Sequence, residues 1–159
     1  MDTGTQPQKP VPYPTVSFYF MVTFPFSGGG IDLYFQSVSG LDSTLETEPI
    51  KEGGENRFTH VVPVRRKYGP LILKRGMPGR VNAKSTLTQK LIEVFGKDTF
   101  VPFDVVTIHL MNENRQTMMY WSINNVWPLS WKMSDLNAMQ SEILIETMEL
   151  NYNQLIFNP

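Results

Sequence analysis

The sequence predicts a mainly β domain with a single short helix. Several segments alternate apolar and polar residues with the period of a strand, and only one segment repeats apolar residues at helical spacing. Glycine, proline and asparagine separate these segments at short intervals, as in antiparallel sheets. The chain has 159 residues and no internal repeat, so we expect one domain, residues 15–159. Residues 1–14 contain four prolines and are predicted to form a flexible arm.

The first two strands are predicted to form a hairpin. Val16–Phe24 alternates apolar side chains on one face with more polar ones on the other. Gly28-Gly29-Gly30 is predicted as the turn, and Ile31–Val38 as the second strand. No Lys-Ser/Thr pair follows these glycines at the spacing of a phosphate-binding loop, so a turn is favoured over a nucleotide site.

A long exposed excursion is predicted at residues 41–56. Its apolar residues are too few and too irregular for a core element, while Pro49 and Gly53-Gly54 interrupt regular structure, so a projecting hairpin is one form it can take. Arg57–Val64 and Leu71–Arg75 are predicted as further strands, separated by a basic turn at residues 65–68.

One helix is predicted after residue 85. Ser85 is a suitable N-terminal cap, and apolar residues at helical spacing form one stripe that should face the core. Gly96 is predicted to end the helix. The stripe consists of Leu87, Leu91, Ile92 and Phe95.

The last third of the chain contains a clear hairpin and an ambiguous segment. Phe103–Met111 and Thr117–Trp127 flank a polar stretch at residues 112–116, which predicts two strands and a turn. Gln140–Leu155 has helical propensities, whereas a strand would place Glu146 among the apolar residues of one face. The residues alone favour a helix for this segment.

The composition excludes several classes of chemistry. There is no cysteine, which removes disulfides and thiolate chemistry. His60 and His109 are isolated in predicted strands, so we predict no catalytic, metal-binding or cofactor-binding residue and no enzymatic activity. A net charge of −1 argues against stable nucleic-acid binding. Residues 1–14 are polar and proline-rich, unlike a secretory signal, and no apolar run approaches the roughly 20 residues of a membrane helix, so assembly in the cytoplasm without membrane insertion is expected.

Two further groups of residues allow alternative interpretations. Trp121, Trp127 and Trp131 fit interior packing of a β domain, which is favoured, or a carbohydrate- or protein-binding platform. The glutamates at positions 46–55 would suit a hydrolase only if one carboxyl group lay in an apolar site, and their polar surroundings argue against this.

Charge is distributed unevenly along the middle of the chain. Residues 42–55 are acidic, and the basic residues of positions 65–90 occur with no acidic residue among them. Opposite charges on one subunit suit head-to-tail association between copies. A solvated surface and passing contact with nucleic acid remain alternatives. The candidate contact residues are Leu41, Asp42, Glu46, Glu48, Glu52, Gly53, Gly54, Glu55, Arg65, Arg66, Lys67, Lys74 and Arg75.

The order of several short motifs resembles the inner-tube proteins of contractile phage tails and related injection systems. The resemblance extends from Tyr13 to Leu155, and its strength lies in the order of the motifs. These motifs include Val38-Ser39-Gly40-Leu41, Glu52-Gly53-Gly54-Glu55-Asn56, Leu73-Lys74-Arg75-Gly76, Asn125-Val126-Trp127-Pro128 and Ile145-Glu146-Thr147-Met148-Glu149-Leu150.

This resemblance implies a fold and a role. The implied fold is a β-barrel-like pair of packed antiparallel sheets with a helix at its flank. The implied role is a homo-hexameric ring that stacks into a hollow tube, with sheath, baseplate and spike proteins as partners. It also implies that residues 41–53 contact the next ring and that the last segment is a strand. The Glu52–Phe58 motif is similar to that of the baseplate-proximal tube initiator.

Overall fold

The computed structural model describes residues 19–26, 29–50, 58–77, 86–97, 102–136 and 143–159. The predicted arm at residues 1–14, the helix cap Ser85 and the first residues of the predicted Val16–Phe24 strand lie outside these ranges. The described residues form ten strands and one helix, which confirms the mainly β fold class. In chain order the elements are β1 (Tyr19–Phe26), β2 (Gly29–Phe35), β3 (Ser37–Ser39), β4 (Ser43–Ile50), β5 (His60–Tyr68), β6 (Leu71–Gly76), α1 (Thr86–Lys97), β7 (Phe103–Met111), β8 (Thr117–Met133), β9 (Ile145–Asn151) and β10 (Gln154–Asn158).

Strand β8 belongs to both of the packed antiparallel sheets. Its first half pairs with β7 and β10, and its second half pairs with β9. Between the halves, Asn125 has a positive φ of 53° and the register shifts between Pro128 and Ser130. Such irregularities bend a strand and increase its twist. The bend lets one strand cross from the first sheet to the second.

The two sheets also meet at β2 and β3. The strand order is β2-β1-β7-β8-β9-β6-β3, so the path begins and ends on two consecutive segments of the chain. Gln36 alone separates them, and its backbone N–H donates to the carbonyl oxygen of Lys74 at 2.8 Å. With β8 at one corner and Gln36 at the other, the sheets form the barrel-like body that the resemblance implies.

The core lies between the sheets, and α1 covers one part of it. Leu87 and Leu91 are buried as predicted, whereas Ile92 and Phe95 of the same stripe are 51% and 43% exposed. The ammonium group of Lys90 lies 4.3 Å from the ring centroid of Phe103, so this side chain also joins the helix to the sheet. The buried side of α1 is therefore narrower than the sequence pattern indicates.

The predicted basic turn at residues 65–68 is wrong. These residues belong to β5, which continues to Tyr68 and pairs with β4 from Ser43 onwards. The turn falls at Gly69-Pro70 instead. Because β4 and β5 form an exposed ribbon, charged side chains remain solvated there and do not interrupt the strand. Gly29 and Gly30 likewise lie within β2 and not in a turn.

The ambiguous last segment forms strands β9 and β10, so the helical preference of its residues is wrong and the resemblance is confirmed here. Glu146 is fully buried on the core face of β9. Its carboxylate accepts a hydrogen bond from Trp131 Nε1 at 2.7 Å and pairs with the guanidinium of Arg75. Arg75 and Met133 are its register partners on the neighbouring strands, so the core supplies partners for this charge.

We expect Glu146→Gln to lower the free energy of unfolding by about 3–5 kcal/mol, because it leaves the largely buried Arg75 guanidinium without a countercharge. Glu149→Gln, three residues along the same strand, is the matched control. Glu149 lies on the other face and accepts a hydrogen bond from Ser130 Oγ at 2.9 Å, so its loss should cost about 1 kcal/mol or less. Denaturant unfolding measures both variants, and equal effects would contradict the role of the buried pair.

Candidate assembly surface: the β4–β5 hairpin

Strands β4 and β5 form a two-stranded sheet that is separate from the eight strands of the body. Every residue of the two strands is exposed apart from Glu46 and Tyr68, which are half-buried. This hairpin contains most of the candidate contact residues that the structure describes. A two-stranded ribbon is only marginally stable by itself, so its setting on the body and its contacts determine whether it stays ordered.

The hairpin has one apolar face. Side chains alternate along β4, and a bulge in β5, where the register shifts between Glu46 and Thr47, keeps the partners of Leu45, Thr47 and Pro49 on one face. These partners are Arg66, Pro63 and Val61, so the face is mostly apolar and carries one charge, that of Arg66. Leu45 is 55% exposed and Val61 is 57% exposed. An apolar strip of this kind on an exposed ribbon is typical of a surface that packs against another molecule.

The opposite face carries an ionic cluster. Arg65 Nε donates to Glu46 Oε2 at 2.5 Å, and Lys67 Nζ lies 3.8 Å from Glu46 Oε1. The hydrogen bond from Arg65 is the main reason that the pKa of Glu46 is lowered, and the charges of Arg65 and Lys67 add to the effect. Three candidate contact residues therefore pair with one another inside the hairpin. Because the cluster is exposed, it contributes little to stability.

The remaining candidate residues lie in different places. Glu48 and Arg66 are exposed on opposite faces of the hairpin. Lys74 is exposed on β6, where it faces Thr147. Arg75 occupies the core side of the same strand and pairs with Glu146, so its charge already has a partner in its own chain. Glu52, Gly53, Gly54 and Glu55 lie outside the described residues.

The base of the hairpin is closely packed against the body. Gly40 has a φ of 86°, and a Cβ there would collide with the carbonyl oxygen of Pro70. Tyr152, between β9 and β10, donates its hydroxyl to the carbonyl oxygen of Gly40 at 3.0 Å. Its ring packs against Tyr68 with centroids 5.4 Å apart. Leu41 packs against the core, so this candidate residue contributes to the base of the hairpin.

Sequence reasoning missed Tyr152 and the steric role of Gly40. Burial, followed by the nearby Asp42 and Tyr68, raises the pKa of Tyr152 to about 12. The hydroxyl therefore remains a donor at all ordinary pH values. A buried tyrosine needs a partner for its hydroxyl, but the sequence gives no sign that this partner lies 112 positions away.

The two histidines lie on different strands, His60 on β5 and His109 on β7. The described residues contain no group of three or more potential metal ligands. Burial lowers the pKa of His109, although Asp32 partly opposes this effect. Trp121 and Trp131 are packed against the core. In the described part of the chain, the helix α1 is neither long enough nor apolar enough to cross a membrane.

Several strands in the described part of the chain have one side without a partner strand, and β2 and β10 are two of them. Among the described residues, β2 pairs along its length with β1, and β10 pairs with β8, so each has one unpaired side. Both strands belong to the sheet that contains β1, β7 and the first half of β8. Unpaired backbone groups at such edges accept strands from other chains.

Comparison with known proteins gives a consistent result. The model of the T4-like virus tail tube protein gp19 family matches residues 16–156. No curated protein sequence matches the chain significantly.

Several solved structures have the same fold as this chain. One chain of the anti-feeding prophage baseplate, determined with six-fold symmetrisation, is 32% identical over 92% of this chain and 97% of its own, with a TM-score of 0.79. A chain of the sheath–tube complex of the extracellular contractile injection system PVC is 23% identical, covers 93% of each chain and gives a TM-score of 0.71. Hcp1 from Flavobacterium johnsoniae is 15% identical over 88% of this chain and 94% of its own, with a TM-score of 0.57.

We expect Tyr152 to make the protein sensitive to alkaline pH. Its pKa is raised from 10.0 to about 12 in the folded state, so the folded chain holds this proton more tightly than the unfolded chain does. The stability that the protonated hydroxyl provides is complete below pH 10.0 and is lost as the pH rises towards about 12. Denaturant unfolding across this range should show a steeper decline for the wild type than for Tyr152→Phe. Parallel pH profiles would contradict the assignment.

Proposed function

Because the chain belongs to the T4-like virus tail tube protein family, gp19, we propose that its copies close into hexameric rings that stack into a hollow tube. A structural role in a contractile tail or injection system follows from the family and from the similar chains of contractile assemblies. The six-fold ring is supported by the 32% identical chain, which comes from a six-fold symmetrised structure.

The open sheet edges support closure of the ring. The free side of β2 on one copy and the free side of β10 on the next present unpaired backbone donors and acceptors. Pairing between two different edges is a head-to-tail contact, and such contacts close into a ring when the rotation between copies is right. A closed ring leaves neither edge exposed to aggregation.

The hairpin supplies the second contact in this proposal. Its apolar face, centred on Leu45 and Val61, packs against a neighbouring copy and removes exposed apolar surface from water. Leu41 and Asp42 lie at its base, and Glu52, Gly53, Gly54 and Glu55, which follow β4 in the sequence, are proposed as further contact residues. Burial of the apolar face is the main source of affinity.

Charge sets the register between stacked rings. Arg65 and Lys67 are partly neutralised by Glu46, so Glu48, Arg66 and Lys74 are the charges most available for a neighbour. Arg75 contributes indirectly, because its ion pair with Glu146 fixes the strand on which Lys74 stands. Complementary charges of this kind favour one orientation over others more than they add to affinity.

The ring next to the baseplate is the position that the observations favour. The chain is 32% identical to a chain of the anti-feeding prophage baseplate and 23% identical to one of the PVC sheath–tube complex. The Glu52–Phe58 motif supports the same assignment. In this role the protein assembles in the cytoplasm, carries out no reaction, and contacts the sheath, the baseplate and the spike.

Electron microscopy and sedimentation of the purified full-length chain test the ring. We expect six-fold rings at high concentration, or on addition of the baseplate proteins that would start the tube. A species that remains monomeric at high concentration in the presence of those partners would refute the proposal.

A matched pair of substitutions tests the apolar face of the hairpin. Val61 and Val62 are adjacent in β5 and point to opposite faces, and both are exposed. We expect Val61→Gln to raise the concentration needed for ring formation at least about tenfold, since it puts an unpaired polar group into an apolar contact. Val62→Gln, on the opposite face, adds no charge beside Glu48 and should assemble like the wild type. Unchanged melting temperatures verify that both variants fold, and equal assembly by both would contradict the contact.

A further inference from the structure

The base of the β4–β5 hairpin is held by contacts that the hairpin itself does not supply. Tyr152 belongs to the body, between β9 and β10, and donates to the carbonyl oxygen of Gly40 at 3.0 Å. Its ring lies 5.4 Å from that of Tyr68, the last residue of β5. One side chain of the body therefore touches the entry of the hairpin through its hydroxyl and the exit through its ring.

Gly40 allows this arrangement. Its φ of 86° turns the chain out of β3, and its lack of a side chain lets Pro70 approach the backbone closely. The two chain segments at the base therefore lie against each other. Asp42 also lies close to Gly69, since its Oδ1 would stand 3.3 Å from a Cβ placed on that glycine.

Tyr152 is well suited to this task. It is 4% exposed, and its raised pKa keeps the hydroxyl protonated. The hydroxyl therefore remains able to donate at every pH well below about 12. Its hydrogen bond also connects residues 112 positions apart, so it ties the hairpin to a part of the body that the chain reaches only much later.

We propose that Tyr152 is a positioning residue, which fixes the direction of the β4–β5 hairpin in the free subunit and so presents its apolar face ready for a second copy of this chain. The inference rests on the proposed function and deepens it. The hairpin meets its partner already ordered, and association does not have to supply the ordering.

Because the hairpin is long, a small rotation at its base causes a large displacement of its far end. β4 has eight residues, and at about 3.3 Å per residue it spans about 26 Å. A rotation of about 10° at the base would move the far end by about 5 Å, which is more than a well-packed apolar contact tolerates. A single hydrogen bond at the base can therefore affect assembly more than it affects the stability of the body.

Tyr152→Phe in the full-length chain tests the proposal, with Tyr68→Phe as the matched control. The first variant keeps the ring contact and removes the bond to Gly40, whereas the second removes the other hydroxyl of the same ring pair and leaves that bond in place. Amide hydrogen exchange is measured on the unassembled chain, and ring formation is measured by sedimentation.

We expect Tyr152→Phe to accelerate exchange about fivefold at the hairpin base, residues 41–44, as loss of one hydrogen bond predicts. Core amides of β7, such as those of Val106 and Ile108, should keep their wild-type rates. The concentration needed for ring formation should rise about fivefold or more, and Tyr68→Phe should behave like the wild type in both measurements.

Other outcomes would overturn the proposal. Equal acceleration in the base and in β7 would make Tyr152 a general stabilising residue, and no acceleration at the base would show that the bond does not order the hairpin. Local acceleration with unchanged assembly would remove the positioning role. If the wild type itself forms no ring, the proposed function fails, while the exchange data still decide whether Tyr152 orders the hairpin.

Discussion

The sheet that contains β6, β9 and the second half of β8 depends on the interactions of the buried Glu146 carboxylate. It accepts a hydrogen bond from Trp131 in β8 and pairs with Arg75 in β6, so one side chain of β9 connects the two strands beside it. A buried charge is tolerated only where its partners are correctly placed. This requirement fixes the register of three strands at once, and it holds the bent second half of β8 in its sheet.

The body and the hairpin differ in how many of their apolar and charged side chains have partners within the chain. In the body, apolar residues from both sheets and α1 form one core, and the buried charge has its partners. In the hairpin, the ionic groups of one face satisfy one another, while its apolar face stays exposed. In the body, the outer edges of β2 and β10 have no partner strand among the described residues. A protein with a well-packed core, an exposed apolar face and unpaired sheet edges is suited to be a subunit of a larger structure.

Much of the fold could be predicted from the sequence because it depends on local patterns. Alternation predicted β1, β7 and β8, and the helical stripe predicted α1. The errors have physical causes that local patterns do not contain. The basic residues 65–68 continue a strand because their partner β4 lies on an exposed ribbon. Glu146 lies in a strand because Arg75 and Trp131 reach it from elsewhere in the chain. Ser85 and the glycine-rich residues 52–55 lie outside the described ranges, so those predictions stay untested.

For the candidate site, the sequence indicated the right segment but not the distribution of roles within it. Unequal charge drew attention to residues 42–75, whereas the register shows that Arg65, Lys67 and Glu46 are engaged with one another and that Arg75 belongs to the interior. Apolar residues of the hairpin were overlooked because they are scattered in sequence and share a face only after β4 and β5 pair. Tyr152 is too distant in the chain for any local rule to have associated it with Gly40.

The hairpin leaves and re-enters the body at nearly the same point, where Gly40 lies against Pro70. The segment between these two residues can consequently be exchanged for that of a relative, provided that the exchange keeps Leu41 and Tyr68, which pack against the body. Exchange of the hairpin would change which neighbouring subunit the protein contacts without changing the fold of the body.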